Sequence, residues 1–129
     1  MNVEDSWRDL SLEERQVIER LLRPPFTGRD ELLEQLIGAK ARTVDEDGSL
    51  SIQVTSPVQA PIPVRVPVTA LAKDEDGVPL QLLIHVVDGR LYELELWRVD
   101  LAALKRWPTA GAIDSVSLDP EVSAAQGEH

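Results

Sequence analysis

Between Ser11 and Gly38, apolar and polar positions alternate with the period of an α-helix. Ser11 and Glu14 have the spacing of a capping box, which predicts that a first helix begins after Ser11. Pro24-Pro25 ends it, because proline has no amide donor and disfavours a helical residue before it. A second helix is predicted from Thr27, its N-cap, to a stop at Gly38. The apolar stripes of the two helices are Val17, Ile18, Leu21 and Leu22, then Leu32, Leu33, Leu36 and Ile37.

From residue 39 onward the period changes to two, which is the period of a β-strand. Residues 39–44 and 50–54 flank the acidic turn 45–48 and predict a hairpin. In the next run, small apolar residues occupy even positions, and the odd positions include Pro57, Pro61, Pro63 and Pro67. Residues of one parity direct their amides to the same side of a strand, so these prolines remove amide donors from one side of it only. Residues 62–73 are therefore predicted to form a strand at an unpaired edge of the sheet.

The longest hairpin pattern covers residues 78–86 and 90–99, joined by a three-residue loop, 87–89. With Gly89 in the left-handed region, the pairs on the apolar face would be Leu80–Leu96, Leu82–Leu94 and Ile84–Tyr92. The opposite face would carry Gln81, Leu83, His85, Glu93 and Glu95, with Trp97 on the same parity. Because leucine is unusual on a solvated face, Trp97 and Trp107 are expected to cover part of this face.

These elements predict an α+β fold in which two N-terminal helices pack on one face of an antiparallel meander of about five strands. Neither short helix is stable alone, so both need the apolar face of the sheet to cover their stripes. Residues 1–118 are predicted to form a single domain, although the pattern over residues 100–118 is weak. Residues 119–129 have little apolar side chain to bury and are predicted to be a flexible C-terminal tail.

Composition disfavours several classes of function. The chain of 129 residues carries 13 basic and 23 acidic residues, which gives a net charge of −10. Such a charge disfavours binding to nucleic acid or to an anionic membrane surface. Without cysteine, a disulfide, a zinc–thiolate site and an iron–sulfur cluster are excluded, and no cofactor is expected. The N-terminal sequence lacks a signal-peptide pattern and no apolar run is long enough to span a membrane, so a cytoplasmic location is expected.

The tetrapeptide Asp-Glu-Asp-Gly occurs at 45–48 and again at 74–77. Clustered carboxylates suggest calcium, but the helix–loop–helix calcium pattern has glycine at loop position six and glutamate at position twelve. Val54 and Leu83 stand at position twelve in the two cases. The tetrapeptides are therefore interpreted as acidic hairpin turns, in which Asp-Gly suits the backbone conformation, and no metal site is expected.

The candidate for catalysis is the group of His85, Glu93 and Glu95. One histidine with two carboxylates has the chemistry to bind a metal or to transfer protons. However, a solvated sheet face predicts the same residues. The chain also has no glycine-rich phosphate loop, nucleophile elbow or His-Glu-x-x-His helix. Enzymatic activity is therefore left open and is not favoured.

Several short motifs occur together along the chain. They are Glu14-Arg15, Leu21-Leu22, Gly28, Gln35, Asp74-x-Asp76-Gly77 and Asp88-Gly89-Arg90-Leu91-x-Glu93-Leu94-Glu95. With these motifs, the chain resembles a family of small uncharacterised bacterial proteins over about residues 8–110. The resemblance implies that a helix pair followed by a sheet is a reused unit, and it implies no active site.

Three classes of function are expected. The first is a non-catalytic interaction module, such as an immunity-type inhibitor of a basic partner protein, because the chain is small and strongly acidic. The second is a small-ligand binding domain that uses the sheet face near Trp97, and the third is an enzyme that uses the histidine group. The expected functional surface is the face without helices, and its candidate residues are Leu83, His85, Glu93, Glu95 and Trp97.

Overall fold

The computed structural model describes residues 7–126, which form an antiparallel sheet of seven strands with three short α-helices. The strands are β1 (Arg8–Asp9), β2 (Lys40–Thr43), β3 (Leu50–Gln53), β4 (Val68–Lys73), β5 (Pro79–Val87), β6 (Arg90–Arg98) and β7 (Ile113–Leu118). The helices are α1 (Leu12–Leu21), α2 (Arg29–Gln35) and α3 (Pro120–Gln126), with a short 3₁₀ helix at Ala110–Ala112. No helix in the described part of the chain is long and apolar enough to cross a membrane.

The strands lie in the order β1-β2-β3-β6-β5-β4-β7. The predicted fold, two N-terminal helices on a meander of about five strands, is therefore wrong. β3 pairs with β6 through Leu50–Leu94 and Ser51–Glu93, and not with the strand that follows it in sequence. In addition, β1 and β7 extend the sheet at its two edges, and α3 adds a third helix.

Residues 54–67 form no strand and carry the chain past the tip of the β5–β6 hairpin to β4. The amide of Ala60 donates to the carbonyl of Gly89 at 2.8 Å, and the amide of Val86 donates to the carbonyl of Arg65 at 2.7 Å. β4 begins at Val68, directly after the last proline, and pairs with both β5 and β7. The predicted edge strand over residues 62–73 is thus wrong, because the prolines precede an interior strand.

The β5–β6 hairpin turns at Asp88 and Gly89, whose φ angles are 53° and 73°. Two positive φ angles are typical of the two-residue turn that matches the twist of paired strands. The register shifts after His85, where Tyr92 is the extra residue of a bulge in β6. The pairs on the apolar face are Leu80–Arg98, Leu82–Leu96 and Ile84–Leu94, so the predicted register is wrong by two residues.

One face of the sheet packs against the helices. The predicted capping box is confirmed: the Ser11 hydroxyl accepts from the Glu14 amide at 3.1 Å, and the Glu14 carboxylate accepts from the Ser11 amide at 2.9 Å. Gly28, and not Thr27, caps α2, where a φ of 100° suits glycine. The buried cluster includes Val17, Ile18, Leu21, Leu22, Leu32, Leu36, Ala41, Leu50, Ile52, Val68, Ala70, Ala72, Leu80, Leu82, Ile84, Val86, Leu91, Leu94, Leu96 and Val122.

Gln35 is fully buried and joins three parts of the chain. Its Oε1 accepts from the amide of Leu91 at 2.9 Å. Its Nε2 donates to the carbonyl of Val58 at 2.9 Å and to the carbonyl of Gly89 at 2.8 Å. One side chain therefore fixes α2, the extended segment 54–67 and the hairpin tip relative to one another.

The chain after β6 returns to the sheet, where β7 pairs with the outer side of β4. The predicted tail 119–129 contains α3, and Val122 of that helix is completely buried in the core. The packed core therefore extends past residue 118, the predicted end of the domain.

Candidate functional site

The second face of the sheet carries no helix within residues 7–126, because α1, α2 and α3 all pack their buried residues into the core on the other face. We call it the open face. Its central residues are Leu71, Gln81, Leu83, His85, Glu93, Glu95, Trp97 and Val99. All five candidate residues from the sequence therefore lie on one surface, which the period of two predicted.

The register of the two longest strands brings these residues together in rows. His85 lies opposite Glu93, Leu83 lies opposite Glu95, and Gln81 lies opposite Trp97. Leu71 of β4 lies opposite Gln81 and continues the row that begins at Trp97. Side chains opposite each other on one face have Cβ atoms about 5 Å apart, so each row is a continuous surface.

His85 is held between a cation and a carboxylate. Its Nε2 lies 2.8 Å from Glu95 Oε1, and Arg65 Nε donates to its Nδ1 at 3.0 Å. Since Nδ1 accepts a hydrogen bond, the proton of the neutral ring is on Nε2 and points to Glu95. The Arg65 guanidinium also stacks 5.2 Å from the centre of the Tyr92 ring. Arg65 thus crosses from the segment 54–67 onto the open face.

This arrangement limits the chemistry of the candidate group of His85, Glu93 and Glu95. Glu95 and Arg65 occupy both ring nitrogens of His85, whose side chain is only 15% exposed. A general base needs a nitrogen that can reach the proton of a substrate. Within the described residues, no group of three or more His, Asp or Glu side chains is arranged to hold a metal ion.

Part of the open face is apolar. Leu71 and Val99 are 45% and 46% exposed, and Leu83 and Trp97 are half-buried between their neighbours. Trp107 does not cover them, because its indole donates to the carbonyl of Gly48 at 2.9 Å and its ring packs against the core on the helix side. The expected cover by Trp107 is thus wrong. The parity of Leu71 and Val99 could have identified both residues from the sequence.

The end of β6 contains a buried ion cluster that the sequence did not predict. Arg98 is 4% exposed and lies at a core position. Its guanidinium donates to Asp74 at 2.8 Å, to Asp76 at 3.0 Å and to Asp100 at 2.7 Å. The hydrogen bond from Arg98 lowers the pKa of Asp100 to about 2. Arginine can satisfy several carboxylates at once because its donors point in fixed, separate directions.

Asp74 fixes the chain that follows β6. Its carboxylate accepts from the amides of Lys105 at 2.7 Å and Arg106 at 3.0 Å, besides its ion pair. Burial opposes ionisation of Asp74, but these amides and Arg98 hold the pKa of this carboxyl below its usual value. The loop is thereby drawn to the helix side, where Trp107 packs, and the loop itself leaves the open face uncovered.

The acidic turns are occupied by internal contacts. Asp45 Oδ1 accepts from the amides of Asp47 and Ser49, both at 3.0 Å. In the second turn, Asp74 and Asp76 bind Arg98. These hydrogen bonds and ion pairs give the aspartates of both turns a structural role.

A groove of about 410 Å³ opens on the helix side. It is lined by Thr27, Ala60, Pro61, Ile62, Pro63, Glu121 and Val122. The expected small-ligand site was near Trp97, which belongs to the other face of the sheet. The groove therefore lends no support to that expectation.

The fold and the site define a small antiparallel-sheet domain with helices on one face and a mixed apolar and acidic surface on the other. The family model described as "Domain of unknown function (DUF6984)" matches residues 7–108, and the chain belongs to that family. The matched part includes β1 to β6 and the central residues of the open face, and it ends before β7 and α3. No curated protein and no solved structure matches the chain.

Proposed function

We propose that the protein is a non-catalytic interaction module that binds a basic partner protein through the open face. An immunity-type inhibitor is the specific form of this proposal. This proposal rests on the ion-pair partners of two central carboxylates, those of Glu93 and Glu95. Glu93 has no ion pair with any residue between 7 and 126, and the partner of Glu95 among those residues is His85, not an arginine or a lysine.

Within the described residues neither carboxylate pairs with an arginine or a lysine, which suits both of them to a partner that brings one. They stand beside Trp97 and Leu83, so the surface combines an aromatic anchor with negative charge. Anchors of this kind contribute most of the binding energy in protein interfaces, while charge complementarity mainly raises the association rate. The net charge of −10 would steer a basic partner over a longer range.

The enzyme alternative would use His85 with Glu93 and Glu95. The occupied ring nitrogens favour the interaction module over that alternative, because proton transfer would first require Arg65 or Glu95 to leave.

The proposed setting is the cytoplasm of a bacterium. Support comes from composition: the chain has no cysteine, and arginine outnumbers lysine ten to three, as in proteins from GC-rich genomes. The motif Asp88-Gly89-Arg90-Leu91-x-Glu93-Leu94-Glu95 supports the same assignment through the family resemblance.

The first experiment identifies the partner. A photoreactive amino acid replaces Leu71 on the open face or, as a control, Ile37, which is 71% exposed on the helix side of the molecule. Irradiation of the source cells should cross-link a basic protein to the Leu71 variant and not to the Ile37 variant. Equal products from the two positions would contradict the proposal.

The second experiment measures association of the purified partner. Glu93→Lys with Glu95→Lys changes the open face, and Glu19→Lys with Glu34→Lys changes exposed helix positions by the same charge. The open-face variant should associate about tenfold more slowly and lose most of its salt dependence. The helix variant should retain the salt dependence. Unchanged association of the open-face variant at low salt would exclude this face.

A further inference from the structure

We propose that two copies of the chain pair through β7 to form one continuous antiparallel sheet. β7 is the last strand in the sheet order, and its outer side pairs with no strand within the described residues. This proposal goes beyond the interaction function and does not depend on it, because β7 lies at the opposite side of β4 from the centre of the open face.

The outer side of β7 offers free backbone groups. The amide of Asp119 donates to the carbonyl of Pro67 at 2.9 Å, in register with the Leu118–Val68 pair. Residues of one parity direct both backbone groups to the same side in an antiparallel strand. The backbone amide and carbonyl of Ser117 therefore point towards β4, as the amide of Asp119 does. The amides and carbonyls of Val116 and Leu118 point away from the sheet.

β7 has a bulge at its start, at Asp114, where the register with β4 shifts between Leu71 and Ala72. The rest of the edge lacks the other features that usually prevent strand pairing. Those features are proline, lysine on the exposed face, or a very short strand. β1, at the other edge, has only two residues, Arg8 and Asp9. β7 has six residues, no proline, and exposed serines at 115 and 117. Its one charged side chain, Asp114, lies 3.4 Å from Lys73 in an ion pair.

The sequence of β7 is complementary to itself. With Val116 on a two-fold axis, Ser115 of each copy lies opposite Ser117 of the other, and serine pairs form cross-strand hydrogen bonds. The two half-buried Val116 side chains meet on the helix side and cover each other. No like charges are opposed in this register. A second copy therefore satisfies the hydrogen bonds and the side-chain contacts of this edge at once.

The test compares the mass of three proteins by sedimentation over a range of concentrations. Ser115→Lys with Ser117→Lys places lysine opposite lysine in the dimer, whereas Ser115→Lys with Ser117→Glu places lysine opposite glutamate. Both variants change the same two exposed positions, so any general effect on the strand is matched. Circular dichroism confirms that both fold.

The wild type and the Lys–Glu variant should form dimers, and the Lys–Lys variant should dissociate at concentrations about tenfold higher than the Lys–Glu variant. Added salt should strengthen the wild-type dimer, because each copy carries a net charge of −10 and the paired edges are nearly neutral. A monomeric wild type at every concentration would overturn the proposal. Equal dissociation of the two variants would also overturn it. These outcomes leave the binding of a basic partner, which salt weakens, unaffected.

Discussion

A single hydroxyl, that of Ser49, satisfies both backbone polar groups of Leu96. It accepts from the Leu96 amide at 2.9 Å and donates to the Leu96 carbonyl at 3.2 Å. Both residues are buried, so water cannot replace these bonds. Because β3 begins at Leu50, the side chain takes the place of the next backbone pair between β3 and β6.

Ser49→Ala should therefore lower the free energy of unfolding by about 1–3 kcal/mol, the cost of leaving buried backbone groups without partners. Urea denaturation measures the change. Ser51→Ala is the matched control, since Ser51 lies on the open face, is not fully buried, and should change stability by less than about 0.5 kcal/mol. Equal losses in the two variants would show that the Ser49 hydrogen bonds contribute little.

The Arg98 cluster should make stability depend on acid. The folded protein lowers the pKa of Asp74, Asp76 and Asp100, the last to about 2. A carboxyl whose pKa is lower in the folded state stabilises the fold above its unfolded pKa, near 3.9, and that contribution disappears as pH falls through the folded pKa. The wild type should lose stability between pH about 4 and pH about 2.

Arg98→Met tests this assignment. The variant should be less stable than the wild type at neutral pH, because Asp74 stays buried without its cation. Its stability should also fall less steeply in acid, as measured by urea midpoints across the same pH range. A variant with the acid dependence of the wild type would show that other carboxyls are responsible.

The tautomer of His85 gives a direct test of the open-face geometry. Nitrogen NMR of the labelled imidazole, recorded at a pH where the ring is neutral, should place the proton on Nε2, since Nδ1 accepts from Arg65. Arg65→Ala removes that donor and should change the Nδ1 chemical shift. A wild-type ring protonated on Nδ1 would contradict the contact with Arg65.

Calcium should not bind specifically at the acidic turns. Millimolar calcium should leave the thermal midpoint unchanged, because the carboxylates of Asp45, Asp74 and Asp76 already accept internal hydrogen bonds. Calorimetry measures binding directly. A micromolar site that Asp47→Asn or Asp76→Asn abolishes would overturn this expectation.

Local sequence patterns were sufficient to predict the parts of the fold that depend on local interactions. The capping box at Ser11 and Glu14 was confirmed, and the alternation placed residues 80–85 and 93–97 on the correct faces. It placed Tyr92 on the apolar face wrongly, because that side chain is 47% exposed. The order of the strands was not predictable in this way. Leu50 pairs with Leu94, and no turn or periodicity links two positions so far apart. The hairpin register failed by two residues: the turn has two residues where three were predicted, and the bulge at Tyr92 adds one that the alternation hides.

The candidate site shows the same division. The open-face residues of β5 and β6 follow from the period of two, whereas Arg65 reaches His85 from an irregular segment that has no period. Arg98 occupies a core position between leucines, although arginine is ordinarily an exposed residue. The carboxylates that permit its burial are those of Asp74 and Asp76, in the turn 74–77, and of Asp100, just after β6. These residues meet around Arg98 only in the folded structure.

The narrow joint between β3 and β6 has a consequence for how the chain folds. The hairpins β2–β3 and β5–β6 close over short turns, while only two backbone residue pairs, assisted by the Ser49 side chain, join β3 to β6 within the described part of the sheet. Closing a long loop is entropically costly before its contacts form, so we expect the pairing of β3 with β6 to limit the refolding rate. Ser49→Ala should then slow refolding more than it speeds unfolding. Unchanged refolding with faster unfolding would place this pairing after the transition state.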